Sequence, residues 1–322
     1  MAEYKGIHGT KIQNYTSDPA NPLTGQVWYN ATSNTLKFEQ NFGAGSWATG
    51  GAMNTGRQQI TGFGLQSAAL AYGGELANGA PQSLTEIYNG TNWTAVNNAN
   101  TARKAAGGVG STAAGLIFGG DAPGVTEKWN GTNWTEVNDM NTPRQQVAGS
   151  GTQTSALAFG GYDGAGAGGP SAATELWNGT NWTTVNALNT GRYALAGAGN
   201  TNTAALGIGG ATSPRAQTEL WNGTNWTEVN DLNTGRERLA GSGLTTSALV
   251  FGGESTTAKT ESWNGTNWTE TADLSIAKKN GGGAGLNNTS SLSFGGDAPS
   301  GTRTTATEEF TSGSITKTLG TD

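Results

Sequence analysis

The chain has 322 residues, a formal net charge of −6, 53 glycines, 11 tryptophans, no cysteine and one histidine, His8, and only 12% of its residues are charged. Disulfide scaffolds, zinc clusters, thiol nucleophiles and any catalysis that needs a histidine beside another histidine or a cysteine are thereby excluded. The acidic balance argues against a nucleic-acid backbone as partner, while apolar residues and glycine together reach the range of globular chains, so a core is expected rather than disorder.

Residues 1–45 stand outside any repeat. The stretch Met1–His8 carries no apolar run of the kind a secretory signal needs, and nowhere do 18 consecutive apolar residues occur. Neither export nor membrane insertion is expected. Further on, Thr24–Asn30 and Thr35–Phe38 flank the polar stretch Ala31–Asn34, which predicts a β-hairpin.

From residue 46 the chain repeats itself, and a period of this length takes precedence over local reading. Anchor tryptophans stand at Trp47, Trp93, Trp134, Trp182, Trp226 and Trp268, spaced 46, 41, 48, 44 and 42 residues apart. A basic residue follows each after ten positions: Arg57, Arg103, Arg144, Arg192, Arg236 and Lys278. A Gly-Gly pair comes 16 or 17 residues later, beginning at Gly73, Gly119, Gly160, Gly209, Gly252 and Gly295. The next aromatic (Tyr88, Trp129, Trp177, Trp221, Trp263, Phe310) lies 10 to 17 residues beyond, and five residues separate it from the following anchor, where Ile315 stands at the end. Variation confined to one segment marks a surface loop, and constant offsets mark paired structure.

Short runs such as Ala248–Phe251 and Trp226–Val229, bounded by glycine or asparagine, read as strands. Trp221-Asn-Gly-Thr-Asn-Trp226 and its relatives place Asn-Gly between two strands, a hairpin signal because both residues tolerate positive φ. Each unit therefore predicts four strands: A after the basic residue, B ending at Gly-Gly, C ending at Trp-Asn-Gly, and D starting at the anchor. Small residues dominate strand A, which suits a crowded central axis. Six such units predict an all-β fold, a six-bladed β-propeller of four-stranded antiparallel blades over 46–322, preceded by the segment 1–45. Two D strands compete for the sixth blade, the Trp47 strand and Ile315–Thr318; Trp47 matches the repeat better. Seven blades, with 24–50 supplying part of the extra one, is the alternative.

The order of arginine, glycine-rich strand, apolar-Gly-Gly, variable loop, Trp or Tyr, Trp and Asn-Thr-Gly-Arg resembles the kelch repeat over about residues 45–320. The last unit departs from it, with Ser275-Ile-Ala-Lys278 in place of Asn-Thr-Gly-Arg and Phe310 and Ile315 in place of the two tryptophans. The N-terminal hairpin is similar to one found near the start of phage tail-fibre and other virion structural proteins. Together these resemblances imply a non-enzymatic virion appendage, made in the host cytoplasm, that contacts host-surface glycan or protein or another virion protein. A cytoplasmic, kelch-type interaction scaffold is the alternative.

In a meander the B–C and D–A connections share one face, so the variable loops and the six basic residues are expected there. The basic residues are candidate contacts for carboxylate or polar sugar groups, or else ties between blades through backbone carbonyls. By resemblance to kelch domains that bind at the channel mouth, the residues after each basic position (Gln58, Lys104, Gln145, Tyr193, Glu237, Lys279) join the candidates. So do those after Gly-Gly (Glu75, Asp121, Tyr162, Ala211, Glu254, Asp297). These differ from unit to unit and suit an asymmetric ligand. The tryptophans read as packing. Asp121 and Asp297 are too few for calcium, and no metal or cofactor is expected. Galactose-oxidase chemistry is excluded by the missing cysteine and histidines, and sialidase chemistry is not expected without Asp-box turns.

Overall fold

The computed structural model of the protein describes residues 12–19, 26–41, 43–121, 124–164, 168–213 and 215–318. All regular elements among them are strands. The chain divides into two compact units, 46–311 and a second made of 1–45 with 312–322. Residues 312–322 thus group with the N-terminal segment.

In the smaller unit, Val27–Asn30 and Thr35–Asn41 form the expected hairpin around Ala31–Asn34; Gln13–Tyr15 adds in parallel and Ser314–Thr318 pairs antiparallel with Thr35–Asn41. One carboxylate organises its buried side chains. Asp18 accepts hydrogen bonds from Lys37 Nζ (2.6 Å), Asn30 Nδ2 (2.8 Å) and the indole of buried Trp28 (3.1 Å). The bond from Lys37 first, then those from Asn30 and Trp28, hold its pKa down at about 2.

Among the described residues of 46–311 lie six four-stranded antiparallel sheets of the kind that form propeller blades, together with a two-stranded ribbon in one loop. Sheets 1 to 5 contain, in order, 61–96, 107–137, 148–185, 196–229 and 240–270, each a simple A-B-C-D meander. Sheet 6 takes strands A to C from Gly282–Asn287, Ser290–Phe294 and Thr307–Thr311 and its fourth from Ser46–Thr49, with Phe310 opposite Trp47. Of the two competing strands, then, the one carrying Trp47 completes this sheet.

Strand A is poor in side chains because neighbouring A strands approach closely. A Cβ placed on Gly62 would lie 2.8 Å from the carbonyl oxygen of Gly283, and one on Gly197 2.6 Å from that of Gly149. The apolar core lies between sheets: Phe159 of sheet 3 meets Trp226 of sheet 4 at 4.9 Å, and Phe294 of sheet 6 meets Trp93 of sheet 1 at 4.8 Å. Buried indoles need an acceptor, and each anchor finds one on the preceding sheet. Trp134, Trp182, Trp226 and Trp268 donate to Thr85, Thr126, Thr174 and Thr218, Trp47 to Thr260, and Trp93 to Thr307.

The Asn-Gly turns differ from the expected form. A two-residue turn would hold both residues at positive φ, yet only the glycine does so, at +89° in Gly90. The loop has four residues, and the Asn89 side chain accepts from the backbone N–H groups of Thr91 (3.0 Å) and Asn92 (2.8 Å). Asparagine is chosen here for its side-chain acceptor, as in an Asx turn.

Candidate functional site

The six basic residues are the first sequence-derived candidates, and the fold buries all of them. Arg144 shows the pattern. Its Nη1 donates to the carbonyls of Gly160 (2.7 Å) and Ala173 (2.5 Å), and its Nη2 to Glu175 at 2.9 Å. Arg57, Arg103, Arg192 and Arg236 repeat this fork with Glu86, Glu127, Glu219 and Glu261. The backbone of the same residue reaches the preceding sheet: the carbonyl of Arg144 accepts from Gly120 N, that of Arg103 from Gly74 N, and that of Arg57 from Gly296 N. Side chain and main chain of one residue thus staple two sheets. Burial depresses the pKa of Arg57, Arg144, Arg192 and Arg236, against the opposing pull of the paired glutamates.

A guanidinium closed off from solvent is out of a ligand's reach. Arg57, Arg103, Arg144, Arg192 and Arg236 are therefore removed as ligand contacts, and so is Lys278, which sits buried 3.5 Å from Glu308. Their glutamate partners escaped the sequence reading, although a recurrent Thr-Glu pair (Thr85-Glu86, Thr126-Glu127 and onward to Thr307-Glu308) marks them at a fixed distance before each C-strand aromatic.

The variable candidates behave differently. Residues following the basic position pair through their backbones with those following Gly-Gly in the same unit: Gln58 with Glu75, Gln145 with Tyr162, Tyr193 with Ala211 and Lys279 with Asp297. Lys104 accepts from Asp121 N, and Glu237 from Glu254 N. Six pairs of chemically different residues are thus set at equivalent places beside the inner strands. Next to each pair stands a residue at positive φ, namely Gln59, Ala105, Gln146, Ala194, Arg238 and Asn280, all between 52° and 56°. None is glycine, so no residue type betrays them in the sequence. Their backbones bond head to tail: Ala105 N to Gln59 O, Gln146 to Ala105, Ala194 to Gln146, Arg238 to Ala194, Asn280 to Arg238, and Gln59 to Asn280. These six residues line a cavity of about 110 Å³ whose floor is apolar, from Ile60, Val147, Leu195 and Leu239. A second cavity, about 170 Å³, is lined by the A strands and A–B turns.

Charge is unevenly spread around the first cavity. Glu75 takes Lys104 Nζ and Arg303 Nη2, the latter at 3.1 Å, and Arg303 Nη1 holds Asp297 at 2.9 Å. Glu254 takes Lys279 (3.2 Å) and Arg238 (3.1 Å), and Glu237 takes Arg215 (3.5 Å). Burial alone would raise Glu75 and Glu254, but these hydrogen bonds and charges bring both below the ordinary carboxylate range. The remaining sector holds the uncharged Gln145, Gln146, Tyr162, Tyr193 and Ala211, with Asp163 following Tyr162. Parts of the variable loops (122–123, 165–167 and 214) lie outside the described residues.

Asp121 and Asp297 come no closer to a cation site. Asp121 accepts from Lys104 N at 2.8 Å and Asp297 is taken by Arg303, and no group of three or more metal-ligating residues occurs among the described residues. No protein-family model matches the chain, and no curated protein matches it either.

Proposed function

We propose that residues 46–311 close into a six-bladed, kelch-like β-propeller serving as a non-enzymatic binding module of a bacteriophage particle, a tail-fibre or adhesin component that contacts host-surface glycan. Three head-to-tail sets of bonds support the ring: the indole-to-threonine bonds, the Gly-Gly bonds to the basic residue's carbonyl, and the six bonds among the left-handed residues. In each, sheet 6 joins sheet 1 as sheet 1 joins sheet 2. Radial repetition of this kind leaves only short, protected edges.

The observation that carries the binding reading is the set of six variable pairs beside one cavity. Everything that builds the ring is repeated from sheet to sheet, whereas these pairs run from Gln-Glu to Tyr-Ala to Lys-Asp. A scaffold that fixes its frame and varies one mouth presents recognition groups there. The test is binding of the labelled full-length chain to bacterial cells before and after periodate oxidation of their surface sugars. Binding that periodate abolishes is expected. Binding that survives periodate would move the contact to protein, and absence of binding, with the chain found inside assembled particles, would leave a purely structural role.

A further inference from the structure

The mouth of the cavity has two unlike halves. Around sheets 5, 6, 1 and 2 the charged side chains are already matched to one another, Lys104 and Arg303 to Glu75, Arg303 to Asp297, Lys279 and Arg238 to Glu254, and Arg215 of the sheet 4 loop reaches over to Glu237. An ionic ligand would have to compete with those pairs. Between Asp163 and Arg215, around sheets 3 and 4, lies a sector of uncharged side chains: Gln145, Gln146, Tyr162, Tyr193 and Ala211. There Tyr162 and Tyr193 meet edge to face, ring centroids 5.2 Å apart and planes at 78°.

Both tyrosines are held by their backbones, Tyr162 against Gln145 and Tyr193 against Ala211. The rings are half-buried, and neither hydroxyl has a hydrogen-bond partner among the described residues. Beside them Gln146, held at φ 54° on the cavity wall, carries a side-chain oxygen shut away from solvent without a partner. In a folded protein such an atom is ordinarily satisfied. The sector therefore combines fixed aromatic surface with two hydroxyls that both donate and accept.

We infer that the Tyr162–Tyr193 sector is the recognition site for an uncharged saccharide, whose C–H face packs on a tyrosine ring while its hydroxyls bond the phenols. This rests on the binding-module reading above and adds the ligand's class and its place. An extended peptide is a poorer match, because the backbone groups at the mouth are already paired with one another and offer no open strand edge. A sialylated or uronate-bearing sugar is also poorer, since each cation at the mouth already faces a carboxylate.

The deciding experiment presents the full-length chain with an array of neutral and acidic glycans at about 0.05 M and about 0.5 M salt, a range over which exposed charge contacts are screened away. The expected result is binding to neutral glycans at both salt concentrations, falling about tenfold in Tyr193→Ala, with Tyr193→Phe retaining part of it and Arg303→Ala leaving it unchanged. Salt independence of the unaltered chain tests the inference even if a tyrosine variant fails to fold. Preference for acidic glycans, erased by salt and by Arg303→Ala, would overturn the neutral sector while leaving the binding module standing. Silence across the array would overturn the sector and the glycan reading together.

Discussion

Sheets 1 to 5 are each cut from one continuous stretch of chain, whereas sheet 6 joins 282–311 to Ser46–Thr49 from the other end of the unit. The two kinds differ in more than connectivity. The continuous sheets use an arginine fork, but sheet 6 has Lys278, whose ammonium reaches Glu308 only at 3.5 Å and hydrogen-bonds nothing. Asn141 and its equivalents, which bind the same glutamates, give way to Ser275. At the rim, Asn97, Asn138, Asn186 and Asn230 reach across to the carbonyl of the next sheet's turn; Ala272 and Gly51 stand at that position on either side of sheet 6. What sheet 6 keeps is packing, with Trp47 at 5.0 Å from Phe251 and 5.2 Å from Phe310, together with the indole bonds of Trp47 and Trp93. Sheet 6 shares the indole and Gly-Gly bonds of the other sheets, but it lacks their arginine fork and rim asparagines, so aromatic contact carries a larger share of the stability of this seam.

The sharpest way to break this contrast is to remove the basic residue from both kinds of sheet. Arg144→Ala strands a buried Glu175 carboxylate and is expected to cost about 3–5 kcal/mol in denaturant unfolding. Lys278→Ala, removing a looser pair, is expected to cost clearly less, and equal losses would erase the distinction. Next in size, Trp47→Ala deletes the seam's main packing and is expected to cost about 2–4 kcal/mol. Native-state hydrogen exchange should then show 46–49 and 307–311 losing protection ahead of the other sheets; uniform loss would mean that the seam opens only with the whole unit.

Lys278→Arg works in the opposite direction. It rebuilds the fork on Glu308 and is expected to stabilise by about 1 kcal/mol, read as a higher melting temperature. Burial, only partly offset by Glu308, depresses the pKa of Lys278 below its ordinary 10.5. The unfolded chain therefore holds that proton longer as pH rises, so stability should climb with pH between the depressed and the ordinary value, and the climb should vanish in the arginine variant.

The smallest effect concerns the other unit, where a carboxylate is held without burial. Because Asp18 is depressed from 3.8 to about 2, its contribution is complete above the ordinary value and disappears as pH falls through the depressed one. The indole resonance of Trp28 should titrate near pH 2 and stop titrating in Asp18→Asn.

The constant spacing from anchor to basic residue to Gly-Gly was enough to read the four-stranded units and the better match of Trp47, because pairing fixes offsets and loops absorb variation. The candidate site was only half legible. The spacing singles out Tyr162, Tyr193 and the variable charges, which stand beside the six left-handed residues, while a repeated cation looks the same whether it faces solvent or a buried glutamate. The Thr-Glu pair could have settled that point. Gln59, Ala105, Gln146, Ala194, Arg238 and Asn280 share a backbone conformation and no chemistry, so nothing in their residue types announces the bonds they make.

In sheet 6, Ser46 stands opposite Thr311. The two ends of the repeat unit are thus neighbours in space, and a short peptide could join them while the backbone is opened elsewhere. The loop between Leu76 and Ala80 of the first unit, whose exposed Gly79 has open space around it, is a natural place for new termini. A circularly permuted chain begun there would make sheet 6 continuous and move the seam into sheet 1, under an arginine fork.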